Sequence, residues 1–366
     1  GAGAKAEGGE AETPETPSDA SLTVSLRQFV AYWRDEIEPY DAADRFFRLV
    51  KQVDETTIRR DDFMTFLDEL LLFHPGLQFL SNHTEFQEKY ALTIATRLMY
   101  HANLSRTGRI TDREARAADL VDAFHLVDEE EDINRVTLYF SYEHFYVLYC
   151  RYWELDSDHD GVISREDLLR YGGHRLSRAI VDRIFEVGAR PRCDGAGAQG
   201  RSTSMHYDDF IYFMLSEEDK GNRASLQYFF TCVDIDGDGV VTPSDMRYFY
   251  DVQTSRMESL GHEVVPFADV LCQMSDMIKP VTESRILMSD LLREDIVNVV
   301  GIVFDALFNL DKFIQFEQRD PFAERQKRDD PFECDWDRFA YIEYNRLAQE
   351  EEAREEMELE GGGQDW

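Results

Sequence analysis

The sequence predicts an all-α protein, an elongated array of paired helix-loop-helix units joined by very short β pairings between their loops. An acidic loop pattern occurs twice, as DSDHDGVISRED from Asp156 and as DIDGDGVVTPSD from Asp234, and amphipathic segments flank both copies. Weaker copies of the same spacing recur in order along the chain. With 366 residues, of which 43% are hydrophobic, the chain is long enough to bury a sizeable core.

Both acidic loops have the ligand spacing of an EF-hand calcium loop. Oxygen-bearing side chains stand at positions one, three, five, nine and twelve, a glycine stands at six, and the seventh residue offers its backbone carbonyl. The predicted ligands are Asp156, Asp158, Asp160, Val162, Ser164 and Asp167 in the first loop, and Asp234, Asp236, Asp238, Val240, Thr242 and Asp245 in the second. We expect one Ca²⁺ in each loop, because this hard cation binds six to eight oxygens.

Position twelve departs from the usual pattern. It is usually Glu, whose two oxygens both reach the ion, whereas this chain has the shorter Asp167 and Asp245. We therefore expect moderate Ca²⁺ affinity, with Mg²⁺ competing for the same loops. The alternative is a pair of Asx-rich surface turns that bind no ion, and two full matches between amphipathic flanks disfavour it.

Degenerate copies of the loop predict partners for the acidic loops, since the aliphatic residue at position eight forms a short β pairing with a neighbouring loop. NLSRTGRITDRE from Asn103 has no acid at positions one, three or five, so we expect an EF-hand fold without strong metal affinity. Fainter copies surround Ile58, Met205 and Ile286, and LTVSLRQF around Val24 is a candidate for the end of one more unit.

The predicted organisation has five parts. Residues 1–20 are rich in Gly, Ala, Pro and Glu and are predicted to be disordered, and residues 21–135 to form a degenerate EF-hand-like helical domain. A pair over 136–219 holds the first acidic loop. A pair over 220–349 holds the second loop and ends in a C-terminal helical cap, and residues 350–366 form an acidic tail that we expect to be disordered.

Composition limits the partners and the compartment. The chain has 39 Lys and Arg against 74 Asp and Glu, a formal charge of −35 that repels nucleic acid and anionic membranes. The five cysteines form no CxxC pair, and no apolar run is long enough to span a bilayer. These features predict an intracellular protein, cytoplasmic or nuclear, that binds no nucleic acid and does not insert into membranes.

Several segments resemble the B-double-prime class of regulatory subunits of protein phosphatase 2A, and the similarity runs from about Ser21 to Gln349. The segments are YFSYEHFYVLYCRYWELDSDHD, ALFNLDKF and WDRFAYIEYNRLA, the last of which is more similar to plant and green-lineage members. The resemblance implies a chain that docks on the HEAT-repeat scaffold subunit, contacts the catalytic subunit and brings phosphoproteins to it, with Ca²⁺ tightening the assembly. Members of this family usually have more sequence before the point where this chain begins, so we expect a fragment.

Two other functions were weighed against a regulatory subunit. A free-standing EF-hand calcium sensor or adaptor is the alternative, although calcium buffers are usually compact and dense in competent loops. An enzyme is disfavoured because the sequence has no Gly-rich phosphate loop, no GxSxG elbow and no HExxH motif. The scattered His144, His159 and His174 are predicted to be surface or packing residues.

Overall fold

The computed structural model describes residues 23–188, 204–317 and 331–361. In these ranges the regular structure is helical, apart from one two-stranded antiparallel sheet and isolated β-bridges, so the predicted all-α class is confirmed. No helix in the described ranges is long and apolar enough to cross a membrane. The segment 1–20 and Cys193 lie outside the described residues.

The N-terminal unit is an EF-hand-like pair without acidic loops. Its helices are α1 Leu26–Tyr32, α2 Ala42–Val50, α3 Met64–Phe73, α4 Thr84–Ala102, α5 Asp112–Ala117 and α6 Leu120–Glu129, with a π-helical turn at Trp33–Ile37 and 3₁₀ turns at Arg60–Phe63, Pro75–Leu80 and Ile133–Arg135. Ile58 and Ile110 exchange two backbone hydrogen bonds, of 2.9 and 2.8 Å. The two eroded loops therefore pair as EF-hand loops do. Val24, the candidate for a further unit, lies exposed just before α1.

The middle unit contains the first acidic loop. Its helices are α7 Tyr142–Leu155, α8 Arg165–Leu169, α9 Arg178–Val187 and α10 Tyr207–Glu218, with a 3₁₀ turn at Tyr171–Gly173. Ile163 at position eight exchanges two backbone hydrogen bonds of 2.8 Å with Met205, just before α10. The side chains of Ser141 and Ser164 accept hydrogen bonds from the first turns of α7 and α8, which begins both helices at defined residues.

The last unit contains the second acidic loop. Its elements are α11 Arg223–Val233, β1 Val240–Val241, α12 Pro243–Ser259, α13 Phe267–Ile278, β2 Ile286–Leu287, α14 Met288–Leu291, α15 Ile302–Phe308 and α16 Leu310–Glu317. The strands β1 and β2 pair with Val241 opposite Ile286 and Val240 opposite Leu287. The second acidic loop thus pairs with a neighbour that lacks the acids of a metal site.

Two hydrophobic cores hold these units together. One lies mainly in the N-terminal unit, where it includes Phe63 and Phe124, and it extends to Phe145 on α7 of the middle unit. The other is continuous through the middle and last units, where α10 packs against α11. The predicted boundary between 219 and 220 therefore separates two loop pairs but not two cores.

The C-terminal helix α17, Asp335–Gly361, differs from two expectations. The sequence predicts a cap over the last pair, but the helix packs mainly against α7 of the middle unit, where the Trp336 side chain is buried. The sequence also predicts disorder from residue 350, but the helix continues to Gly361. Ala, Glu, Arg, Met and Leu favour a helix here, and Arg346 pairs with Glu350 one turn later.

Candidate metal centres

The Asp156 carboxylate holds the first acidic loop together by accepting hydrogen bonds from backbone N–H groups. It follows α7 directly and is fully buried. Its Oδ1 accepts a hydrogen bond from the Asp160 N–H at 3.2 Å, and its Oδ2 accepts one from the Gly161 N–H at 2.9 Å. Gly161 has a φ of +81°, in the left-handed region that strains residues with a Cβ. The glycine at position six thus permits the turn that the Asp at position one holds in place.

The second loop repeats this arrangement. Asp234 accepts the Gly237 N–H at Oδ1, at 2.9 Å, and the Gly239 N–H at Oδ2, at 2.8 Å. Gly239 also has a φ of +81°. The residues at position seven, Val162 and Val240, each donate an N–H to the Asp at position five of their loop, at 2.9 and 2.8 Å. The two acidic loops therefore share the bond from position six to position one and the bond from position seven to position five, but Oδ1 of the first Asp accepts from position five in one loop and from position four in the other.

Three carboxylates converge in each acidic loop. Asp156, Asp158 and Asp160 each place one carboxylate oxygen within 4.8 Å of the others, and Asp234, Asp236 and Asp238 do the same. The carboxylate at position one is buried and the other two are exposed. Like charges this close repel one another unless a cation lies between them. A set of hard oxygen donors at these distances fits Ca²⁺ or Mg²⁺ rather than a softer metal.

Positions nine and twelve begin the helix that follows each loop. The Asp167 Oδ2 accepts the N–H of Ser164 at 2.8 Å and its hydroxyl at 2.5 Å, and Asp245 accepts the corresponding groups of Thr242 at 2.8 and 2.6 Å. In the first loop the other oxygen, Oδ1, forms an ion pair with Arg170. Burial raises the pKa of Asp167, but the Ser164 hydrogen bonds and the Arg170 charge outweigh it and leave the pKa below its usual value.

In the eroded loop that begins at Asn103, an amide group occupies the centre. The Asn103 Oδ1 accepts the Gly108 N–H at 2.7 Å, as the acids at position one do in the other loops. Its Nδ2 lies within hydrogen-bonding distance of oxygens at positions three, five, seven and twelve: Ser105 Oγ at 3.0 Å, Thr107 Oγ1 at 3.3 Å, Arg109 O at 2.8 Å and Glu114 Oε1 at 3.4 Å. The loop thus closes around an N–H donor. Sequence reasoning missed this role, although Asn at position one was its signal.

Helix α9 contacts both acidic loops, a link that the sequence did not indicate. Arg165, at position ten of the first loop, pairs with Asp182 on α9 at 2.8 Å. The next residue, Arg183, donates from Nε to the carbonyl of Cys232 at 2.9 Å and from Nη2 to the carbonyl of Asp234 at 2.7 Å. The first residue of the second loop is therefore tied to the helix that the first loop contacts.

Two family models match this chain, one in the N-terminal unit and one across the two acidic loops. A model described as an EF-hand domain matches residues 41–130, and one described as an EF-hand domain pair matches residues 145–250, a range that contains both acidic loops. The models therefore cover the N-terminal pair as well as the two loops with acidic clusters.

The chain is also similar to regulatory subunits B'' of serine/threonine protein phosphatase 2A. A probable B''delta subunit of Arabidopsis thaliana is 46% identical over 333 residues, which make up 91% of this chain and 61% of the plant protein. The B'' subunit delta of Mus musculus is 39% identical over 345 residues, 94% of this chain and 69% of the mouse protein. The B'' subunit alpha of Homo sapiens is 43% identical over 338 residues, 92% of this chain and 29% of the human protein. The chain thus spans less than two thirds of the plant relative.

A solved structure of a PP2A PR70 holoenzyme, designated diCa, contains a chain with the same fold. The similarity has a TM-score of 0.68 at 42% sequence identity, and it covers 75% of this chain and 99% of that one.

Proposed function

Because the chain belongs to the B'' family of regulatory subunits of protein phosphatase 2A, we propose that it docks on the HEAT-repeat scaffold subunit, contacts the catalytic subunit and selects phosphoprotein substrates. The family predicted from the sequence is confirmed by its plant, mouse and human relatives. These relatives are regulatory subunits, so the family regulates a phosphatase and is not itself the enzyme. The observation that carries the docking proposal is the match to nearly the whole of one chain in a solved PP2A PR70 holoenzyme.

The proposed metal sites are the two acidic loops, with one Ca²⁺ in each and Mg²⁺ as a competitor. The proposed ligands are those given above for each loop, from Asp156 to Asp167 and from Asp234 to Asp245. Three converging carboxylates in each loop support this proposal, as do the EF-hand models and the diCa designation of the related structure. Position twelve is Asp, and one of its oxygens accepts hydrogen bonds at the start of the following helix. The affinity for Ca²⁺ is therefore moderate.

Calcium would act on the shape of the middle and last units. A cation between the three carboxylates relieves their repulsion and fixes the angle between the helices on either side of the loop. If the docked form binds the ion more tightly than the free form, calcium favours docking by that difference in affinity. The described cysteines are free, which agrees with the proposed intracellular location, cytoplasmic or nuclear.

Calorimetric titration with a scaffold-catalytic core of protein phosphatase 2A tests this function. The purified chain is titrated once in Ca²⁺ and once in chelator, and a double variant, Asp156→Asn with Asp234→Asn, is the matched control. We expect the wild-type chain to bind the core tightly in Ca²⁺ and more weakly in chelator. The double variant should bind with the same affinity in both. Binding of the wild type that is indifferent to calcium would leave the loops as structural elements, and no binding would favour the free-standing sensor or adaptor.

A further inference from the structure

A cleft of about 610 Å³ lies between the eroded loops of the N-terminal unit and the first acidic loop. Four cationic side chains line it: Arg59, Arg60, Lys89 and Arg109. Four cations in one cleft are unusual for a chain that has 74 acidic and 39 basic residues. The lining also includes Asp61 and Asp208, which the four cations outnumber, and a concave surface with an excess of one charge concentrates ligands of the opposite sign.

The eroded loops supply three of these four cations. Arg59 and Arg60 follow the bridge residue Ile58, and Arg109 stands at position seven, just before the bridge residue Ile110. The loops that lack the acids of a metal site therefore present guanidinium groups to the cleft. Guanidinium binds carboxylate and phosphate through paired hydrogen bonds.

Positive charge in the cleft exceeds what its neighbours neutralise. Arg59 and Arg109 share a single carboxylate, that of Glu55, and remain 47% and 44% exposed. The Lys89 Nζ lies 5.3 Å from the centroid of the Tyr207 ring, and no carboxylate of the described residues lies within ion-pair distance of it. Arg60 differs, since it is paired with the buried Asp208 at 3.0 Å and with the exposed Asp61 at 3.3 Å. Arg59, Lys89 and Arg109 thus keep the capacity to bind an anion.

Aromatic side chains also line the cleft and connect it to the first acidic loop. Tyr152, Trp153 and Tyr207 line the cleft together with Leu92. The Tyr152 hydroxyl donates a hydrogen bond to the carbonyl of Gly161, at position six of the loop, at 2.5 Å. A ligand in the cleft would therefore meet both cations and apolar surface, next to a loop that is proposed to bind calcium.

We propose that this cleft binds an acidic peptide segment of a partner protein. Carboxylates or phosphates of the segment pair with Arg59, Lys89 and Arg109, and an apolar side chain packs on the partly exposed Trp153 and Leu92. A small inorganic anion would use the cations alone, whereas a peptide also contacts this apolar surface. The inference deepens the proposed function, on which it rests only for the source of the peptide, a phosphoprotein substrate.

Fluorescence anisotropy on the purified chain tests the cleft. The probe is a short labelled peptide in which Asp and Glu alternate with Leu, and a phosphoserine version and an Asn/Gln version complete the set. We expect the acidic and phosphoserine peptides to bind, the Asn/Gln peptide not to bind, and added salt to weaken binding. Lys89→Glu and Arg109→Glu should each weaken binding about fivefold or more, because each reverses a charge in contact with the ligand.

Arg135→Glu is the matched control, because Arg135 is 73% exposed and is not among the residues that line the cleft. This variant should bind the acidic peptide like the wild type. Thermal unfolding shows whether each variant is folded, and Lys89→Gln, which only removes the charge, should bind with intermediate affinity. Equal binding of the acidic and Asn/Gln peptides, or equal losses in the Lys89 and Arg135 variants, would overturn the proposal.

Titration of Lys89→Glu with the scaffold-catalytic core separates this inference from the proposed function. We expect the core to bind this variant as it binds the wild type. Peptide binding without core binding would leave the cleft standing and reject the regulatory function. Core binding with no charge-dependent peptide binding would reject the cleft and leave the regulatory function standing.

Discussion

The residue at position one decides what each loop holds at its centre. In the eroded loop the Asn103 amide donates to surrounding oxygens, so the loop already contains a donor. In the acidic loops Asp156 and Asp234 accept backbone N–H groups and add a negative charge that a cation must balance. At position one, nitrogen in place of oxygen thus gives the eroded loop its own donor, and Ser105 and Thr107 replace the acids at positions three and five.

We expect Asp156→Asn and Asp234→Asn each to lower the bound calcium by about one ion per chain. Each variant should remain folded, because the new amide can close the loop as Asn103 does. Calorimetric titration gives the stoichiometry, and circular dichroism checks the helix content. Ser105→Ala, in the eroded loop, should leave the stoichiometry unchanged. Two sites that persist in both Asp variants would show that the ligands have been misassigned.

The two acidic loops should differ in affinity because of a residue three positions after position twelve. Arg170 pairs with the Asp167 carboxylate, whereas Tyr248 stands at the same place after Asp245. We expect Arg170→Ala to tighten calcium binding at the first site a few fold, since a partly exposed ion pair that competes with the metal is worth about 0.5–1 kcal/mol. Tyr248→Ala is the matched change and should leave the second site unaltered. Calorimetry on the single-site variants separates the two affinities, and an unchanged first site would contradict this competition.

The C-terminal helix docks on α7 through a buried histidine. The Nδ1 of His144 accepts N–H groups from Trp336 at 3.2 Å and from Arg97 at 3.1 Å. Both partners can only donate, so this nitrogen carries no proton in the docked state. The Nε2 of the same ring lies 3.8 Å from the Asp337 carboxylate. Docking of α17 therefore requires a neutral imidazole.

Mild acid should loosen this helix. Burial, helped by the nearby Arg97 charge, holds the pKa of His144 well below its usual value. The unfolded chain therefore binds more protons than the folded one, and the stability present above pH about 6.5 is lost as the pH falls towards the lowered pKa. We expect faster amide exchange in α17 at pH 5.5 than at pH 7.5. The free energy of opening this helix should fall by at most about 1.4 kcal/mol for each pH unit below 6.5.

His144→Asn tests that the histidine causes this pH dependence. Asn keeps an acceptor near the Trp336 and Arg97 donors but does not titrate, so the difference between pH 7.5 and pH 5.5 should shrink. Asp337 also titrates here, and burial raises its pKa, which has the opposite effect because its protonation favours the folded state. A pH dependence that survives in His144→Asn would assign the effect to a group other than the histidine.

Local pattern predicted the loop pairings, but tertiary packing placed the C-terminal helix. The aliphatic residue at position eight indicated the bridges, and Ile163 with Met205 and Val241 with Ile286 pair accordingly. The acidic run after residue 350 suggested disorder from charge alone, yet its Glu and Arg residues favour a helix once Trp336 is anchored. Contacts between residues far apart in sequence, such as Arg183 with Asp234, leave no periodic pattern in the sequence, so they could not be predicted from it.

Across the whole chain, the two acidic loops lie in different pairs but in one continuous core. In the usual EF-hand pair, two loops communicate through their β pairing, whereas here each acidic loop pairs with a neighbour that has no acid at positions one and three. Among the described residues, α9 connects the two loops directly, through Arg165 and Asp182 on one side and Arg183 and Asp234 on the other. We therefore expect the two calcium sites to be coupled through this helix rather than through their strands.

Arg183→Gln should weaken that coupling. The Arg183 side chain is only 15% exposed and donates two charge-assisted hydrogen bonds to carbonyls, so its loss should cost about 1.5–3 kcal/mol of unfolding free energy. Second-site affinity should fall, and combining Arg183→Gln with Asp156→Asn should change that affinity by less than the sum of the single effects. Arg178→Gln, on the same helix, is the control for direct contact with the second loop, since its side chain is 60% exposed and pairs with Glu166 of the first loop. Additive effects of Arg183→Gln and Asp156→Asn in calorimetric titration would mean that α9 stabilises the second loop but does not couple the two calcium sites.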